Sequence, residues 1–270
     1  MRLRHNVGVS GIYESPELYE LACAYRDVRS EVDALDRWYR QHAEPAGPGS
    51  VLELAAGPAE HSLEFARRDV QATALDLSPA MCAYASQKAT RDGLKLEVLQ
   101  ADMRDFALAA PVDLAITMLN SACHLMTLDD LVAHLGAVGR AVTPGGLYIM
   151  ELAHPADFLT LVPRTSSEWD SEVGERRVHV RWGGGEDVID PVTQVTREHV
   201  QVTVRDDEGA RTLTDVVPNR FWTATELTAA VRLAGGFRVA ACYGDFGEDL
   251  PVDAAEAWRM ILVLARSSMF

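Results

Sequence analysis

The spacing of apolar residues changes along the chain, and the changes divide it. Between residues 16 and 42, Leu18, Leu21, Ala22, Tyr25, Val28, Val32, Leu35 and Trp38 recur at helical spacing, and Pro16 stands where a first helical turn accepts proline. This predicts one long helix or two. The run Glu44-Pro-Ala-Gly-Pro-Gly49 ends it. Short apolar strands then alternate with amphipathic helices. Strands are predicted at 51–54, 72–75, 94–99, 112–118 and 147–152, and helices at 59–68, from Ser78-Pro79 to Gly93, and from Thr127 to about Val142. Ser78 is the expected N-cap of the second of these helices. Thr127-Leu-Asp-Asp130 has the form of a capping box with aspartate in the glutamate place. Residues 112–118 are nearly all apolar, as in a strand buried on both faces.

Such alternation builds βαβ units and a parallel sheet, and ligands then gather outside the carboxyl ends of the strands. The loops after residues 54, 75, 99, 118 and 152 are therefore the first places to look for a site. Beyond Pro155 the period falls to two. Residues 176–182, 195–204 and 210–217 read as antiparallel strands turning at Gly183-Gly-Gly185 and Asp206-Asp-Glu-Gly209. They predict an inserted β-rich subdomain over 156–218. A capped helix over 223–233 and strands at 237–243 and 258–266 return to the first pattern, so the main domain is expected over 46–155 and 219–270.

Composition narrows the partners. The 270 residues carry a formal net charge of -15, with no basic stripe of the kind that grips phosphate backbones. Nucleic acid is therefore disfavoured, and a small molecule is the expected substrate. Cys23, Cys82, Cys123 and Cys242 form no C-x-x-C pair, so neither a disulfide framework nor a zinc knuckle is suggested, and no metal is expected. No apolar run is long enough to span a membrane, and none follows the N-terminus as in a signal peptide; a cytoplasmic location is the expectation.

Three segments carry candidate chemistry. In Val51-Leu-Glu-Leu-Ala-Ala-Gly-Pro-Ala59 a strand feeds a turn of small residues and then a helix, which lets a backbone approach a ligand; the G-x-G-x-x-G pattern of dinucleotide folds is absent. Asp76 ends the second strand, about 20 residues after the turn, where Rossmann-type folds hold ribose hydroxyls. Asp102 and Met103 follow the third strand, where the acid could accept a bond from an adenine amino group.

Together these segments resemble the class I S-adenosylmethionine-dependent methyltransferases, in the flavour of small-molecule enzymes such as amino-sugar N-methyltransferases. The matching pieces are VLELAAGPAEHSLEFA (51–66), ALDLSPAMCAYA (74–85), LQADMRDF (99–106), VDLAITMLNSACHLM (112–126) and PGGLYIMEL (144–152), in the family's order over about half the chain. The closing FRVAACYG and WRMILVLAR resemble that family's last two strands. The resemblance implies an α/β, Rossmann-like, mostly parallel sheet with its last strand antiparallel, a helical lid over 1–45, S-adenosylmethionine as cofactor and S-adenosylhomocysteine as product. Glu53, Ala55, Gly57 and Ala59 would line the methionine end, Asp76 the ribose, and Leu77, Met81, Asp102 and Met103 the adenine. Leu119 and Asn120 would close the pocket below the methyl group. The family's second loop glycine is Ala59 here, and its Thr or Ser is Pro58. On the lid, Tyr13 and Tyr19 are placed to face the sulfonium, and Arg26 to pair with the cofactor carboxylate.

Methyl transfer from a sulfonium is an in-line displacement in which alignment supplies much of the rate. Expected acceptors are a nitrogen or an electron-rich aromatic carbon, with an oxygen as the alternative, in secondary metabolism. His124, after the fourth strand, is the expected base, with Tyr19 beside it. Tyr25, Glu151, His154, Trp222 and Tyr243 are expected at the substrate, and Trp169 and Trp182 are further candidates for an aromatic wall. The DNA amino-methyltransferase tetrad is absent after the fourth strand. Two rivals belong to other classes: a nicotinamide-dependent oxidoreductase and a non-catalytic S-adenosylmethionine-binding module. An exposed edge of the inserted sheet could pair two chains.

Overall fold

The computed structural model describes residues 11–160, 165–207, 209–247 and 249–267. Two helices open it, α1 (Pro16–Ala22) and α2 (Val28–His42), broken apart at residues 23–27. The Asp27 side chain accepts from Ser30 N and so starts the second helix independently of the first. The alternating region follows as β1 (Ser50–Leu54), α3 (Glu60–Arg67), β2 (Gln71–Asp76), α4 (Pro79–Arg91), β3 (Leu96–Gln100), β4 (Val112–Thr117), a one-turn 3-10 helix (Ser121–His124), α5 (Leu128–Ala141) and β5 (Val142–Ala153). The expected caps form. Ser78 accepts from Met81 N, and Thr127 and Asp130 cap each other reciprocally.

After a short helix, α6 (Ala156–Leu159), come β6 (Glu168–Val173), β7 (Arg176–Trp182), β8 (Val195–Asp206) and β9 (Gly209–Arg220). They make an antiparallel sheet in the order β6-β7-β8-β9. The chain returns through α7 (Ala224–Ala234), β10 (Phe237–Tyr243) and β11 (Arg259–Arg266). The main sheet has seven strands in the order β10-β11-β5-β4-β1-β2-β3, and β11 runs antiparallel to both of its neighbours. This is the Rossmann-like arrangement expected.

Two elements differ from the sequence reading. β6 has no place in it, because Glu168-Trp-Asp-Ser-Glu-Val173 is mostly polar and half exposed, as suits a sheet edge kept from pairing further. β5 begins at Val142 and not at Leu147. Val142 pairs with Val112 and Leu147 with Leu114, so residues 143–146 bulge from the strand. Gly146 lies so close to Asp113 that an added Cβ would stand 2.5 Å from its carbonyl.

Apolar side chains fill both faces of the main sheet. One face packs Leu52, Tyr148 and Leu262 against Leu131, Leu135 and Leu227 of α5 and α7. The other packs Val51, Ile116 and Ile261 against Val32, Leu35 and Trp38 of α2. A third cluster joins Ile12, Leu21 and Ala22 to Val178, Val180, Val200, Val202 and Val204, the alternate residues of β7 and β8. Helix α1 therefore rests on the second sheet, with its other flank on α4. No helix of the described residues is long and apolar enough to cross a membrane.

Candidate active site

The carboxyl ends of the main sheet, the segment 13–25 and the second sheet enclose a cavity of about 940 Å³. Its floor begins at the turn after β1. Ala55, Gly57 and Ala59 all take left-handed backbone, at φ 51°, 53° and 60°. That conformation suits glycine and costs roughly 1–2 kcal/mol for other residues, so the two alanines hold a shape that the fold imposes. Gly57 N donates to Asp76 Oδ2 at 2.7 Å, and Ser78 N to Oδ1 at 2.8 Å. Burial raises the Asp76 pKa, and these two amides work against it. Asp76 thus ties the β1 turn to the β2 turn and still lines the cavity, as do Leu77 and Met81.

Asp102 and Met103 line the next stretch of wall. Asp102 is paired with Arg104 at 2.6 Å, and Arg104 also reaches Asp130 at 2.7 Å. Burial would raise the Asp102 pKa, but the bonds from Arg104 overcome it and lower it. After β4, Leu119 and Asn120 are left-handed in succession, at φ 53° and 58°. Leu119 N donates to Glu151 Oε2, and Asn120 Oδ1 accepts from Ala153 N. These bonds fix the hairpin of backbone below the cavity.

The 3-10 turn then presents His124. Its Nε2 is 3.0 Å from the Tyr13 hydroxyl, and the ring also bonds the Pro218 carbonyl. Burial pulls the His124 pKa down to about 4, so the imidazole is neutral at physiological pH. Burial pushes the Tyr13 and Tyr19 hydroxyls well above the ordinary tyrosine value. The Tyr13 and Tyr19 rings are tilted at 50° with centroids 5.7 Å apart, and Tyr19 meets Trp182 edge-on at 6.3 Å, as Tyr25 meets Trp169 at 5.5 Å. Residues from segment 13–25 and from the second sheet therefore share one aromatic wall.

The structure does not bring every expected residue to this cavity. Arg26 is buried elsewhere, donating to Glu31 and to both oxygens of Glu151. Glu151 is fully buried between Arg26 and Arg259, which hold its pKa at about 2 against the upward push of burial. Glu53 points away from the cavity and is consumed by Ser62 N, Ser62 Oγ and His61. Burial alone would lower the His61 pKa; its bonds with Glu31 and Glu53 raise it to about 9. Ala59 is completely buried in the turn. His154 bonds the Val252 carbonyl and Ala156 N. Trp222 packs in the core under Arg220, with its indole donating to the Ala122 carbonyl. Tyr243 stacks on Trp38 at 4.6 Å and bonds His42 behind the sheet. For these residues, position in the sequence near a strand end does not decide which side of the strand the side chain takes.

Residues with no expected role also line the cavity, among them Thr196 and Glu198 of β8 and Asn219 of β9. A signal for Glu198 exists in the sequence. It falls in the same alternate row as Val200, Val202 and Val204, where an acid breaks an apolar pattern.

Comparison with known proteins agrees with this geometry. Residues 51–146 match the family model of a methyltransferase domain. The chain is 27% identical over 188 residues to dTDP-4-amino-2,3,4,6-tetradeoxy-D-glucose N,N-dimethyltransferase of Saccharopolyspora spinosa, covering 69% of this chain and 70% of that protein. It is 25% identical over 255 residues to the cypemycin N-terminal methyltransferase of a Streptomyces species, covering 93% and 95%. Among solved structures, the sugar N-methyltransferase KedS8 from a Streptoalloteichus species superposes with a TM-score of 0.70 at 25% identity, over 92% of each chain.

Proposed function

We propose that this chain, whose residues 51–146 match a methyltransferase domain, is an S-adenosylmethionine-dependent methyltransferase that methylates the amino group of an amino sugar in secondary metabolism. The observation that carries this reading is the wall opposite the cofactor side. There Tyr25, Trp169 and Trp182 come together with carboxyl groups, among them Asp170, Asp187 and Glu198, while Tyr19 reaches from Trp182 to the Gly57 turn. Aromatic faces and carboxylates favour a ligand that carries a positive charge on a compact body. The names of the relatives support a sugar amine as that ligand.

The cofactor side fits the group. Asp76 has the position to accept from ribose hydroxyls, and Leu77, Met81 and Met103 supply apolar contacts for a flat base. The left-handed turn from Ala55 to Ala59 keeps the backbone low enough for the methionine portion to lie across it. When bound, S-adenosylmethionine supplies an electrophilic methyl group on a sulfonium. The chain's own contribution is alignment and the exclusion of water by the lid tyrosines. His124 and Tyr13 form a neutral pair beside the acceptor. A ring with a pKa near 4 holds a proton poorly, so in this reading His124 orients the acceptor nitrogen by hydrogen bonding more than it stores its proton.

The test is a turnover assay with S-adenosylmethionine and paired acceptors, amino sugars and their hydroxyl counterparts, read by S-adenosylhomocysteine release and by fragmentation of the product. A methyl group on nitrogen is expected. A methyl group on oxygen alone would replace this reading by the O-methyltransferase one. Binding of S-adenosylhomocysteine with no turnover on any acceptor would favour a non-catalytic binding module.

A further inference from the structure

The inward row of β8 reads Thr196, Glu198, Val200, Val202, Val204. The three valines bury themselves against α1. Glu198 does not; it is half-buried, and its carboxyl group faces the cavity. A carboxylate taken out of water needs donors. Glu198 finds two neutral ones, the Asn219 amide and the Trp182 indole. Asn219 is itself anchored, its Oδ1 accepting from Cys123 Sγ at 3.0 Å, one residue before His124. Opposite Asn219 in the ladder stands Thr196, which lines the same cavity and whose buried hydroxyl has no hydrogen-bond partner. A buried hydroxyl without a partner is costly, and such groups are ordinarily satisfied by water or by a ligand. The two described cationic side chains of the lining are already committed, Arg104 to Asp102 and Asp130, and Arg259 to Glu151.

We propose that Glu198 is the acceptor-amine site: it receives the substrate's ammonium group and takes one of its protons, while Thr196 and Asn219 fix the nitrogen's position. This rests on the N-methylation reading above and names the residue that makes it work. The ammonium N–H bond breaks, the proton passes to a Glu198 oxygen, and the nitrogen keeps the electron pair. That pair forms the N–CH3 bond as the S–CH3 bond breaks, and the bonding electrons of the latter remain on sulfur as S-adenosylhomocysteine forms. The N-methylammonium product then carries the positive charge away.

The surroundings suit a proton acceptor at neutral pH. The titratable groups facing Glu198 are Asp187 from the loop between β7 and β8, Cys123 from the 3-10 turn and Tyr13 from the chain before α1. Burial first, and then the Asp187 charge, push the Glu198 pKa up to about 7, against the lowering bonds from Asn219 and Trp182. A general base works best with a pKa near the operating pH. The carboxylate form gains as the pH rises through 7, so kcat/KM for an amine acceptor should rise with pH across that range.

The experiment compares wild type, Glu198→Gln and Asn219→Ala. Each is saturated with S-adenosylhomocysteine and titrated with the methyl glycosides of 3-amino-3-deoxyglucose and 4-amino-4-deoxyglucose and with methyl glucoside. Affinity for S-adenosylhomocysteine itself reports that each variant is folded. The pH profile of turnover is recorded on whichever aminoglycoside the wild type methylates. The expected result is that wild type prefers an amine over the hydroxyl counterpart. Glu198→Gln should lose that preference by about tenfold to a hundredfold, as for a charge-assisted hydrogen bond, together with the rising limb near pH 7. Asn219→Ala removes a bond that lowers the Glu198 pKa, so its limb should move to higher pH. Equal amine binding and an unchanged limb in Glu198→Gln would overturn the assignment and leave N-methylation standing. No preference for the amines in the wild type would overturn N-methylation and this assignment together.

Discussion

Arg26→Met is the perturbation that most directly tests how the segment between α1 and α2 is held. In the structure the Arg26 guanidinium spans two carboxylates, Glu31 at 2.5 Å and Glu151 at 2.9 Å, with almost no solvent exposure. Removing it leaves Glu151, which is fully buried, with only Arg259 and one backbone amide. The Glu151 carboxyl falls from its ordinary 4.5 to about 2 on folding. At about 1.4 kcal/mol per pH unit this group contributes ~3 kcal/mol in the wild type, present above pH 4.5 and lost as the pH falls towards 2. Breaking a buried pair by removing one partner costs about 3–5 kcal/mol by the general rule. Arg26→Met should therefore lower stability by about 3 kcal/mol at pH 7, measured by urea denaturation. The deficit should shrink below pH 5, because a protonated Glu151 needs no counterion. Glu151→Gln in the same background should recover part of the loss. A cost under about 1 kcal/mol at pH 7, with a large drop in S-adenosylhomocysteine affinity, would refute this reasoning and return Arg26 to the cofactor carboxylate.

Two further outcomes are expected. Asp76→Ala should weaken S-adenosylhomocysteine binding by about 1–3 kcal/mol in calorimetry, with a smaller loss of stability from the unpaired Gly57 and Ser78 amides; unchanged affinity would remove Asp76 from the ribose. Lys88→Met should loosen α1 without unfolding the sheet. Lys88 is buried between Glu20 of α1, at 2.6 Å, and Glu60 of α3, and without the ammonium these two acids repel each other. Since both are about one-third exposed, a cost of about 1–2 kcal/mol is expected. Faster amide exchange in residues 11–26 would report it, and unchanged exchange there would count against the role of Lys88.

The alternating domain was legible because each of its signals is local. Pro79 after Ser78, the reciprocal Thr127–Asp130 cap and the apolar run of β4 specify their elements without reference to the rest of the chain. Asp76, Asp102, Met103, Leu119 and Asn120 reach the cavity because strand ends in this topology must converge there. Side-chain direction was less legible. Glu53, Glu151 and Tyr243 lie in or at the ends of strands, where a single step along the chain reverses the face presented. The position of Arg26 is illegible for a different reason. Its partners Glu31 and Glu151 are 5 and 125 residues away, and a buried ion pair of that span leaves no periodic trace. Glu198 is hard to see because it is a single exception in a row of valines whose period dominates the pattern.

The placement of residues 11–22 has a consequence for the order in which the molecule is made. Ile12 N bonds Asp215, 203 residues away, Tyr13 bonds His124, 111 residues away, and the Ala22 carbonyl receives the Trp169 indole across 147 residues. Each is a contact whose two halves leave the ribosome far apart in time, and whose loop must be closed at an entropic cost before it returns anything. Residues 11–22 can therefore complete these contacts only once the second sheet, residues 168–220, has been made. The same separation puts the entropic cost of closing the cavity on one short piece of chain, which Ile12, Leu21 and Ala22 seat on the second sheet.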